Sequence, residues 1–73
     1  MKFYRLNYTT VARDPNGKKI TRRRTQYCTA KDPALVIEEC KLRHGKYLMT
    51  AEVKEIAQSA IKPNTKIYVV YGI

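Results

Sequence analysis

Arg22, Arg23 and Arg24 stand side by side in this chain, shortly after the lysine pair Lys18-Lys19. A guanidinium is a rigid, planar fork of donors that matches a phosphate or the edge of a guanine. A run of them is the chemistry of anion recognition. If these residues lie on a strand, alternate side chains project to opposite faces, so Arg22 and Arg24 point together and Arg23 points away. A ribbon with guanidinium groups on both faces suits insertion into a nucleic-acid groove better than docking flat on a surface. Arg5 and Arg13 extend the basic set. Tyr8 and Tyr27 are expected beside Arg24 and Arg5, where they could stack beneath the cations or offer a face to an unpaired base.

Bond-making chemistry finds less to work with. The acids are Asp14, Asp32, Glu38, Glu39, Glu52 and Glu55. Asp14 suits a turn and Asp32 a helix cap, and the glutamates sit in close pairs whose members point apart. His44 is the single histidine, so a nucleophile–base arrangement would need it with Cys40, four residues away on one helix. The plainer expectation is that His44 meets the helix C-terminus while Cys40 packs inward. Cys28, Cys40 and His44 offer three metal ligands where a structural zinc wants four. The three glycines are scattered and form no phosphate-cradling loop. The expectation is therefore no catalytic residues, no metal and no cofactor.

The elements that must position the arginines are legible from turn chemistry. Asp14-Pro15-Asn16-Gly17 places Asp at the first turn position, Pro at the second and Gly where φ must be positive. That predicts a type I turn with a glycine bulge joining strands over residues 2–13 and 18–30. The loop fixes the register: Ala12 opposite Ile20, Thr10 opposite Arg22, Tyr8 opposite Arg24, Leu6 opposite Gln26, Tyr4 opposite Cys28. This shared face is apolar toward the chain's start and polar toward the turn. The base of the hairpin should thus pack on a core while its distal half reaches into solvent.

Asp32 as N-cap, Pro33 at the first helical position and Gly45 at the stop predict a helix between them. Val36, Ile37 and Cys40 form one apolar stripe; Leu35 and Leu42 fall on nearly the opposite side, a candidate dimer or partner surface. Residues 46–61 read either as a second amphipathic helix or as a strand over about 47–57, with the strand preferred. Lys62-Pro63-Asn64-Thr65 is a turn, and the continuously apolar Ile67–Ile73 predicts a final strand well inside a sheet. Phe3, Tyr4, Tyr47, Tyr68 and Tyr71 are expected to be core and rim aromatics. The whole is expected to be one α+β domain over 1–73, with a mostly antiparallel sheet in the order ββαββ (alternatively ββααβ) behind an N-terminal basic hairpin.

The charge is lopsided. Residues 1–31 hold nine basic side chains against the single acid Asp14, whereas residues 32–73 hold six basic and five acidic ones. The net +9 is thus concentrated on the hairpin, a positive field able to steer an anionic partner. With 44% hydrophobic residues, disorder is not expected. No apolar run reaches the ~18 residues a membrane span needs. Arg5 interrupts any signal-peptide core, so a complete small cytoplasmic reading frame is expected. Two cysteines suit free buried thiols. In pattern alone, without a shared motif, a basic hairpin followed by helix and strand is similar to small ribosomal proteins and to short bacteriophage reading frames.

The function expected is non-catalytic nucleic-acid binding, RNA ahead of DNA, through phosphate contacts from Arg5, Arg13, Lys18, Lys19 and Arg22 to Arg24 with Tyr8 and Tyr27 beside them. The alternative is a small phage-type inhibitor or interaction protein seating the same hairpin on an acidic or nucleic-acid-binding surface of a host protein. A homodimer is compatible with either.

Overall fold

A computed structural model describes residues 2–71. The elements run β1 (Lys2–Arg13), β2 (Lys19–Ala30), α1 (Pro33–His44), β3 (Leu48–Ile56) and β4 (Ile67–Val69), with 3-10 turns at Gly45–Tyr47 and Gln58–Ala60. The result is a small α+β domain: one helix on a four-stranded sheet of order β3-β1-β2-β4. β1 pairs antiparallel with β2 and with β3, and β4 pairs parallel with β2.

The turn between β1 and β2 is built by Asp14. Its carboxylate accepts from the Asn16 N–H at 3.0 Å and from the Lys18 N–H at 2.8 Å, and its carbonyl accepts from the Gly17 N–H at 2.9 Å. Gly17 sits at φ +81°, where a side chain is strained. The resulting register sets Tyr8 opposite Arg24, Leu6 opposite Gln26 and Tyr4 opposite Cys28.

Side-chain alternation then decides the core. Tyr4, Leu6 and Tyr8 on β1 and Cys28 and Ala30 on β2 share one face, which buries them against Val36 and Cys40 of α1, with Val70 completing the cluster. Leu35, Ile37, Leu48, Ala51 and Val53 pack around it, half-buried. The twelve residues of α1 span about 18 Å whereas the twelve-residue strands span about 40 Å. The helix therefore covers the base of the sheet and leaves the end near the turn bare. Every residue of β2 from Lys19 to Thr25 is exposed.

The helix is capped by Asp32, whose carboxylate accepts from the Ala34 N–H at 2.8 Å; at the other end Gly45, at φ +54°, donates its N–H to the Lys41 carbonyl. Asp32→Ala is expected to lower stability by about 1 kcal/mol, read as a shift of the urea midpoint with unchanged slope. An unchanged midpoint would mean the cap carries no net energy.

Three sequence expectations need correction or settling. Residues 48–56 are strand, followed by one 3-10 turn, so the second-helix alternative falls away. The last strand is neither long nor central: β4 is three residues at the sheet's edge. β1 and β2 hold the two central places. Only Val70 of the apolar run is in the core, while Val69 and Tyr71 are exposed, and residues 72–73 lie outside the described residues. Leu35 and Leu42 do not share a surface. Leu35 packs on the core, whereas Leu42 is exposed, at 84%.

Candidate nucleic-acid interface

The distal hairpin distributes its cations by strand alternation. Arg22 opposite Thr10 and Arg24 opposite Tyr8 lie on the helix-bearing face; Arg23 opposite Thr9 lies on the other, with Arg5, Arg13 and Lys19. Arg13, Lys18, Lys19 and Arg22 to Arg24 are all exposed, and Arg5 is half-buried. Among the described residues none of these seven takes part in an ion pair; the pairs present are Lys2 with Glu55 at 3.6 Å and Arg43 with Glu39. Asp14, the one acid nearby in sequence, has its carboxylate engaged by turn amides. Seven cations thus share one ribbon, none of them in an ion pair with a side-chain carboxylate among the described residues.

The edge of β2 is open over the same stretch. β4 covers only Tyr27 to Thr29, so Lys19 to Gln26 have no neighbouring strand on that side among the described residues. A shallow groove follows this edge, lined by Arg24, Gln26, Tyr27, Thr65, Lys66 and Tyr68. The Tyr68 ring carries Lys66 Nζ at 4.9 Å and the Arg43 guanidinium at 5.8 Å from its centroid. Arg43 is in turn held by Glu39 and by the Gln26 side chain. A second groove flanks the hairpin near the turn, lined by Val11, Ala12, Arg13, Lys19, Lys46 and Tyr47. There Lys46 Nζ stands 5.4 Å from the Tyr47 ring, which is itself 54% exposed. Each side of the ribbon therefore carries a tyrosine with a cation upon it, an arrangement that can grip a phosphate and stack a base together.

The two tyrosines expected from sequence fare differently. Tyr27 keeps a half-exposed ring on the open face. Tyr8 does not serve: it is buried in the core, its ring 4.7 Å from that of His44 at 30°. The correction has a simple cause, since α1 ends over Tyr8 and its last residue, His44, closes upon it. The aromatic groups that do accompany cations are Tyr47 and Tyr68. Their signal was in the sequence as Lys46-Tyr47 and Lys66-x-Tyr68, each a lysine one or two residues before a tyrosine at the entry to a strand.

The open face also carries Asn7, whose side-chain oxygen accepts from the Thr25 hydroxyl at 2.7 Å, with Thr9, Thr21 and Thr50 nearby. Together with Arg23 and Glu52, Asn7, Thr9, Thr25 and Thr50 line a polar concavity between the cations.

Cys28 and Cys40 are free and buried. Burial pushes both thiols up, Glu39 adds to the effect and Arg43 opposes it. Both therefore rest as thiols at neutral pH. No three His, Cys, Asp or Glu side chains converge among the described residues. No helix among them is long and apolar enough to cross a membrane.

Compared with protein-family models, with curated proteins and with solved structures, the chain matches none.

Proposed function

We propose that this protein binds nucleic acid without catalysis, RNA in preference to DNA, through the distal half of its β1–β2 hairpin. The observation that carries the reading is the set of exposed cations, Arg13, Lys18, Lys19 and Arg22 to Arg24, none of which has an acidic partner within the described residues. Unpaired surface cations at this density are a source of counterion release on binding a polyanion. Phosphate contacts would supply most of the affinity and little of the specificity. The preference for single-stranded RNA over duplex DNA rests on the tyrosines. Tyr27, Tyr47 and Tyr68 keep accessible ring surface beside cations, which favours unpaired bases splayed from a loop or single strand.

The test is a salt titration of binding by fluorescence anisotropy, with a labelled single-stranded RNA and a labelled DNA duplex of equal length. Expected is a linear fall of log K with log salt, its slope near −0.7 per phosphate contact on the single strand and about −0.9 on the duplex, with the RNA bound more tightly at every salt. Absence of salt-dependent binding to both polymers overturns the reading.

A second reading is favoured by the bare β2 edge between Lys19 and Gln26. An extended acidic segment of another protein could add there as a strand, with its carboxylates beside Arg22 to Arg24. Capture of one specific protein, undiminished by nuclease treatment, would favour this reading over the first.

A further inference from the structure

At the opposite border of the sheet, β3 presents nine residues, Leu48–Ile56, with no strand on its outer side among the described residues. We infer that this edge pairs with the same edge of a second copy, in an antiparallel register centred on Val53 that sets Glu52 of each chain opposite Lys54 of the other.

The register follows from symmetry and charge. Two identical strands pairing antiparallel in one continuous sheet are related by a two-fold axis perpendicular to it, so directly opposed residues come from the same face. Only registers centred on a residue satisfy that condition, since a one-residue slip would oppose side chains from different faces. Centred on Glu52, the pairing opposes glutamate to glutamate; centred on Lys54, lysine to lysine. Like charges directly opposite are destabilising. Centred on Ala51, both charges face uncharged residues. Centred on Val53, Glu52 and Lys54 meet twice, once on each side of the axis. The same register sets Thr50 against Ile56 and exposed Met49 against exposed Ala57, giving the side chain of Met49, 56% exposed, an apolar neighbour.

The surroundings of these two residues point the same way. Lys54 lies directly opposite Arg5 on β1, and Glu52 opposite Asn7. Each chain alone therefore sets two cations side by side in one row and leaves a carboxylate against an amide in the next. Neither Glu52 nor Lys54 forms an ion pair among the described residues, and Arg5 Nε is buried without a hydrogen-bond partner. Pairing through Val53 brings Glu52 of the partner subunit to the end of the Arg5–Lys54 row, where an anion is wanted. The exposed charges that would deter non-specific edge pairing thus become the code for one specific pairing. The product is an eight-stranded sheet whose basic hairpins point to opposite ends.

Sedimentation equilibrium of the purified protein tests this. The wild type is expected to show a concentration-dependent mass reaching that of two chains. E52K and K54E, each placing like charges opposite one another twice, are expected to sediment as single chains at loadings where the wild type is dimeric. The double swap E52K/K54E restores the opposition and is expected to restore the dimer. Both positions are exposed, so circular dichroism should show all four proteins folded. A wild type that stays monomeric, single variants that remain dimeric, or a double variant that fails to reassociate would each overturn the inference.

Discussion

Replacing Arg22, Arg23 and Arg24 together with alanine is expected to reduce affinity for RNA on the order of 100-fold, taking about 1 kcal/mol for each lost charged contact. The slope of log K against log salt should become shallower by about 2–3, since each neutralised phosphate contributes about 0.7–0.9. The fold should survive. All three side chains are exposed, none is in an ion pair within the described residues, and changes at such positions stay within about 0.5 kcal/mol each. Removing three neighbouring like charges also relieves repulsion. A triple lysine variant supplies the control. It keeps the charge and hence the salt slope, but gives up the bidentate fork, so its loss of affinity measures geometry apart from charge. The proposal is lost if the alanine variant binds with the wild-type slope.

Leu6→Ala should act on the other half of the same hairpin and by another mechanism. Leu6 is 1% exposed, at the centre of the core face between Tyr4 and Tyr8 and opposite Val53 of β3. Truncating a buried leucine costs about 2–5 kcal/mol through lost transfer energy and the cavity left behind. At roughly 0.05–0.15 kcal/mol per residue, a chain of this length has about 4–11 kcal/mol to lose. The variant should therefore melt at least ~10 °C lower, at about 4–8 °C per kcal/mol for domains of this size. Thermal unfolding followed by circular dichroism measures it. A shift of only a degree or two would show that the core relaxes around the site. RNA binding at a temperature where the variant is folded should match the wild type, because no cation has moved.

The two experiments divide the molecule along a line that is legible in the sequence. Asp14, Pro15, Asn16 and Gly17 interact within a few bonds of one another, so their turn depends on nothing distant, and the turn sets the register of both long strands. The same holds for Asp32 and Gly45 at the ends of α1. What local chemistry leaves undetermined is the choice of neighbour for each strand. The run from Ile67 to Val70 is apolar enough for a central place, yet β1 and β2 are already paired with each other and β3 takes the free side of β1. β4 is left a three-residue parallel contact at the border. The burial of Tyr8 has a related cause. Alternation put it on the core face, but only the position of the helix end shows that His44 shuts over its ring. Lys46, Lys66 and Arg43 joined the basic surface through tertiary placement, each coming to rest against a tyrosine ring.

The half-covered hairpin also bears on how such a protein can change over generations. Tyr4, Leu6, Cys28 and Ala30 are constrained by volume, since each is buried within one packed cluster. Arg22 to Arg24 are constrained only by what they touch outside the molecule. Arg22 lies four pairs along the ladder from Leu6, about 13 Å at the rise of a strand, a separation at which mutational effects on stability add independently. A lineage could exchange arginines for lysines, shift them between faces or reverse their sign without drawing on the stability held at the base. One pair of strands thus carries two separately inherited properties, and a new anionic target can be explored without first rebuilding the fold.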